Sequence, residues 1–226
     1  MYVALEPFVR RRWPVILVGW SRLLAGNYQD PLVGRDFLIG CVFGVLTALL
    51  HYLRFPLNLF YTPQLKPHTG NLTGGLGAFS LFSGSYRIID HVLSTTILLI
   101  YVGLALGFIL FLVRFLLRRT WIAVAVLMVL FSIAFTGAES SIISSIPILL
   151  ALALEIFIYF RFGLLALITS YIYFVLLVLF PITTQLSAFY FPIGLTGLVL
   201  LLAFAFYAFR TSLGSRPVFD TPRLDD

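Results

Sequence analysis

The stretch Ile88–Phe115, IIDHVLSTTILLIYVGLALGFILFLVRF, decides the fold class. Between Asp90 and Arg114 it holds no Asp, Glu, Lys or Arg. As a helix it is long enough to cross the roughly 30 Å of hydrocarbon in a bilayer. The rest of the chain has the same character: of 226 residues, 61% are hydrophobic and 11% are charged, with a mean hydropathy of +1.04. A soluble domain of this size has too few polar residues to cover that much apolar surface. Lipid is therefore the expected solvent for most of the chain.

Working outward, five more spans are expected. Asp30-Pro31 offers an N-cap followed by proline at the first helical position. The span at about 37–53 follows, and Arg54 and Pro56 are expected to close it. After 88–115 comes a short span at 121–135, on the order of 23 Å at 1.5 Å rise per residue. It must borrow flanking residues or thin the bilayer. The remaining spans are at 146–160, 162–180 and 191–209, punctuated by Arg161, Pro181 and Arg210. The expected fold is an all-α membrane protein, a six-span helical bundle. It divides into a cytoplasmic basic segment 1–36, a membrane domain 37–210 and a polar cytoplasmic tail 211–226.

Charge placement sets the orientation. With the N-terminus inside, the inner segments hold Arg10, Arg11, Arg12, Arg22, Arg35, Arg114, Arg118, Arg119, Arg161, Arg210, Arg216 and Arg223, whereas the outer ones hold Arg54, Lys66 and Arg87. That is the positive-inside bias. It accounts for the net charge of +6 without a nucleic-acid partner. An odd number of spans would put the C-terminal arginines on the wrong side.

Ahead of the first span, Ile16, Leu17, Trp20, Leu23 and Leu24 fall on one face of a helix over Pro14–Gly26. Three arginines precede it, and Trp13 and Trp20 suit an interface. An amphipathic helix lying on the membrane surface is expected, with packing against the bundle as the alternative. The apolar run Val15–Trp20 is too short for a signal peptide. Between the first two spans, residues 54–87 carry Pro56, Pro63 and Pro67 and five glycines from Gly70 to Gly84. A loop this long is often functional. The lone Cys41 excludes a disulfide framework and is expected to pack as a small hydrophobe. Gly40 and Gly44 form a small-x-x-x-small pair suited to close helix contact, within the chain or between copies.

Candidate chemistry is sparse. Glu155 is the one acid well inside an apolar run. Such a residue is a functional candidate, as a proton or cation site. It also lies six residues from Arg161, about 9 Å by helical rise, where a contact with Arg114 or Arg118, or a neutral carboxyl, would suffice. Asp90, His91 and His51 are expected at one outer membrane level, where they could bind a metal or sense pH. Asp90 and His91 are adjacent, however, and point in different directions. The serines at 140, 141, 144 and 145 assemble no nucleophile–base set. Gly74-Gly75-Leu76-Gly77 lacks the strand and βαβ unit of a dinucleotide fingerprint. Asp36-Phe37 is followed by Leu38 where a kinase Asp-Phe-Gly element has glycine. No catalytic residue, cofactor or metal site is expected.

Several stretches carry a family resemblance: ALEPFVRRRWP (Ala4–Pro14), SRLLAG (Ser21–Gly26), DPLVGRD (Asp30–Asp36), RFGLLAL (Arg161–Leu167), FPIT with SAFY (Phe180–Tyr190) and FRTSLGSRPVF (Phe209–Phe219). Together they resemble the C-terminal multi-span membrane region of a group of bacterial serine/threonine protein kinases. The resemblance implies a location in the bacterial cytoplasmic membrane, both termini inside, with a cytoplasmic kinase domain ahead of the spans in the relatives. No kinase domain is present in these 226 residues, so the expectation is a stand-alone membrane region or one from a longer or split reading frame. The expected function is a non-enzymatic anchor or sensor, whose partners are the lipid bilayer and either a cytoplasmic kinase domain or a second copy. The alternative is a small transporter or channel subunit using Glu155.

Overall fold

A computed structural model of the chain describes residues 14–61, 85–117, 120–135, 142–180, 185–187 and 191–214. Among the described residues the chain is all-helical, with seven helices: α1 Pro14–Leu24, α2 Pro31–Tyr61, α3 Ser85–Leu117, α4 Thr120–Phe135, α5 Ile142–Arg161, α6 Leu164–Leu179 and α7 Phe191–Leu213. Three segments are long and apolar enough to cross a membrane: Pro31–Leu53, Leu93–Val113 and Phe191–Leu213. Leu164–Leu179 is apolar and shorter.

Helix α2 starts where the Asp30-Pro31 pair predicts. The Leu32 N–H donates to Asp30 Oδ1 at 2.9 Å, satisfying one of the orphan donors of the first turn. This bond, helped by an ion pair from Arg22, holds the Asp30 carboxyl below its ordinary range. The far end of α2 differs from expectation. Arg54 and Pro56 do not close the helix, which runs on to Tyr61 with Pro56 inside it. Proline removes one N–H and crowds one carbonyl, so it can bend a helix without ending it.

Helix α6 is the hub. Its first half, from Leu164 to Ser170, is buried throughout, and α2, α3, α5 and α7 pack around it. Close approach of α2 depends on glycine. A Cβ at Gly40 would lie 2.6 Å from Thr169 Cγ2, and one at Gly44 would lie 2.8 Å from the Ser170 carbonyl oxygen. The small-x-x-x-small pair therefore serves a contact within the chain. Cys41, on the neighbouring face of α2, is buried with Tyr173 and Leu201, the small-hydrophobe role expected of it.

The contacts fix the helix directions. Along α2, Gly40 meets Thr169 and Gly44 meets Ser170 and Tyr173, so α2 and α6 run parallel. Gly34 of α2 lies against Ser212, while Cys41 clusters with Leu201, so α7 runs the opposite way. Gly103 of α3 lies against Ile168 and Gly107 against Leu164, so α3 is antiparallel to α6. Helix α5 reverses into α6 through Phe162 and Gly163, the latter at φ 102 where only glycine is unstrained. A Cβ there would also meet the Ile16 carbonyl oxygen at 2.6 Å.

That last contact places α1. Most of its apolar face, expected to lie on the membrane surface, is covered by protein: Ile16, Leu17 and Trp20 are buried in the main core cluster with residues of α5 and α6, Leu23 packs partly against it, and Leu24 stays exposed. Gly19 sits so close to Asp36 that a Cβ would collide with the carboxylate. An amphipathic stripe needs an apolar surface to cover, and here the end of the bundle supplies it before lipid can.

Candidate functional site

Glu155 is 2% exposed, held by α5 between α2 and α6. Thr47 Oγ1 and Ser170 Oγ each donate to Glu155 Oε1 at 3.0 Å. The second carboxylate oxygen, Oε2, is buried with no hydrogen-bond partner among the described residues. Three helices thus contribute one polar group each to a single point inside an apolar bundle. The point lies about 9 Å along α5 from Arg161.

The local sequence explains why these groups meet. Gly40, Gly44, Thr47 and His51 recur at steps of four, three and four along α2, so they share one face. Opposite them, α6 presents Thr169, Ser170 and Tyr173. Glycines bring the backbones together and the hydroxyls then reach across to α5. Of the partners expected for Glu155, Arg118 lies outside the described residues, as does the Arg114 side chain.

The other candidates do not join this point. His51 is half-buried one turn beyond Thr47, its ring edge-on to Phe174 at 5.6 Å and to Tyr52 at 6.0 Å. Asp90 is exposed on α3, and the His91 side chain lies outside the described part. Among the described residues no group of three or more His, Cys, Asp or Glu could hold a metal ion.

The described arginines among those expected to set the orientation gather at one end. Exposed Arg161 closes α5 with its guanidinium 5.8 Å from the Phe162 ring centre. Arg210 is exposed in the last turn of α7. Arg22 and Arg35 stand at the same end, where Tyr207 Oη donates to the Tyr28 carbonyl and Pro31 lies beside Gly214. Arg114 is near the α3 terminus that approaches this end; Arg10, Arg11, Arg12, Arg118 and Arg119 lie outside the described residues.

Sequence reasoning missed Thr47, Ser170 and Asp36. Part of the signal for the first two was present: both are hydroxyls within apolar runs, and Thr47 shares the glycine-marked face of α2. Asp36 reads as a boundary residue, yet it is 3% exposed beneath α1 and bonded to Arg35 at 3.0 Å. Compared with known proteins, the chain matches no family model, no curated protein and no solved structure.

Proposed function

We propose that the chain is a six-span membrane module of a bacterial signalling protein, an anchor or sensor without catalytic activity of its own, with both termini on the cytoplasmic side. The observation that carries this reading is the convergence at one end of the bundle. There α1, the Asp30 turn, the Gly163 turn and the last turn of α7 meet, and the exposed arginines 35, 161 and 210 surround them. The alternation of helix directions supports six crossings, since α2 and α6 run against α3 and α7. The shorter α4 and α6, with 16 residues each, span about 24 Å, which a locally thinned bilayer accommodates.

A signalling role draws support from α1. Because Ile16, Leu17 and Trp20 are seated in the bundle core, a cytoplasmic domain ahead of residue 14 would be coupled to the helices mechanically rather than tethered beside them. The motifs from Ala4 to Asp36 resemble the kinase membrane regions at this same coupling segment.

Topology is the first test. Reporters fused before residue 14 and after residue 214, with a third within 62–84, should place both termini inside and the loop outside. A C-terminal reporter on the outer face would reduce the crossings to an odd number and overturn the six-span reading. The kinase link is tested separately, by reading the coding sequence upstream of Met1 in all three frames. A kinase domain in frame or in the adjacent gene is expected; its absence removes that link and leaves the topology standing.

A further inference from the structure

We infer that Glu155, Thr47 and Ser170 form an exchangeable proton site, with Oε2 of Glu155 as the atom that binds and releases the proton. This goes beyond the anchor or sensor reading and does not depend on a kinase partner.

The geometry selects the ligand class. Both hydroxyls direct their hydrogens at Oε1, so their donors satisfy that oxygen in either protonation state. Oε2 is buried and has no partner among the described residues. A carboxylate oxygen left bare in such a place is unfavourable, and a buried acid in a membrane segment resolves this by pairing or by taking up a proton. A metal cation is a poorer fit. Hard cations need several oxygen ligands, and among the described residues no group of three or more His, Cys, Asp or Glu supplies them here. A proton needs no shell.

Few neighbours compete for the charge. From α2 the titratable neighbour is His51, one turn beyond Thr47. From α6 it is Tyr171, the residue after Ser170. On α5 itself it is Tyr159, whose hydroxyl is already donated to the Gly107 carbonyl at 3.1 Å. Helix α4 carries no charged residue, α3 has no Asp, Glu, Lys or Arg between Asp90 and Arg114, and the one such residue of α7 is Arg210 at the arginine-rich end. Asp36 stands at that same end, under α1 and paired with Arg35.

The consequence is structural. The carboxyl bridges α5 to both α2 and α6, so a change of its charge alters the contact that sets α5 against the hub.

The test uses the full chain in lipid and the apolar reagent N,N′-dicyclohexylcarbodiimide: a protonated carboxyl in apolar surroundings gives its proton to the reagent's nitrogen, its oxygen adds to the central carbon, and the adduct rearranges to a stable N-acylurea. The adduct is mapped by peptide mass spectrometry across a series from mildly acidic to alkaline pH. The expected result is an adduct on Glu155 that falls as pH rises and is the same in sodium chloride as in choline chloride. Glu155→Gln should lose it completely while circular dichroism shows the helices retained. Ser170→Ala should displace the pH at which labelling falls. No adduct at any pH, or one indifferent to pH, would overturn the site as exchangeable, leaving a fixed polar pin. Protection by sodium alone would overturn the proton as its occupant.

Discussion

Helices α6 and α7 read alike in sequence, as apolar runs with a few small or hydroxylated residues, yet they occupy opposite environments. The first half of α6 is enclosed on every side. On α7 a stripe of Gly194, Gly197, Leu201, Ala208 and Thr211 is buried, while Leu198, Val199, Leu202 and Phe206 are exposed. In water such a face would be a large unprotected patch; against hydrocarbon it needs no cover. Apolar content therefore does not distinguish core from surface in this chain. Where α2 meets α6 the seam is marked by small and hydroxyl residues, which permit close backbone approach and cross-helix hydrogen bonds where lipid is otherwise as good a neighbour as leucine.

The strongest way to break this comparison is to spoil the seam on α6. Gly44→Leu forces a side chain into a space where even a Cβ would lie 2.8 Å from both the Ser170 carbonyl oxygen and Tyr173 Cβ. Overpacking costs about 1–3 kcal/mol and occasionally more, and a leucine forced against backbone belongs at the upper end. Thermal unfolding in detergent, followed by circular dichroism, should show a large drop in midpoint or failure to assemble. A wild-type midpoint would mean that α2 and α6 are not closely packed, and the Glu155 cluster would lose its support.

How much of this was legible in the sequence follows from the same contrast. Helix positions were readable because arginines and prolines interrupt apolar runs, and the N-cap at Asp30 was readable because its chemistry is local. Passage of α2 through Pro56 was not, since a proline's effect depends on what surrounds the carbonyl it frees. The stripe of α1 was visible, but Ile16, Leu17 and Trp20 would look the same against lipid or protein. The Gly40–Gly44 pair announced a close contact without naming α6 as its partner. Glu155 stood out as a buried acid, while Thr47 and Ser170 could not be joined to it across separations of 108 and 15 residues. Pairing of faces is a tertiary fact, and one helix's periodicity does not contain it.

The finest test of the comparison lies in two adjacent leucines of α7. Leu201 is 2% exposed, packed with Cys41 and Tyr173, whereas Leu202 is 61% exposed. Leu201→Ala removes packed atoms next to the hub and should cost about 2–3 kcal/mol, near the low end for buried leucines. Leu202→Ala removes only contacts that lipid or detergent tails replace, and should stay within about 0.5 kcal/mol. Both variants keep the backbone carbonyl that accepts from Tyr173 Oη at 3.4 Å, so the difference isolates side-chain packing. Equal losses would mean that the outer face of α7 is also covered, by a second copy of the chain or by another subunit. Measuring Leu202→Ala over a range of protein-to-detergent ratios separates those outcomes, because a loss caused by breaking an assembly fades on dilution and a loss within one chain does not.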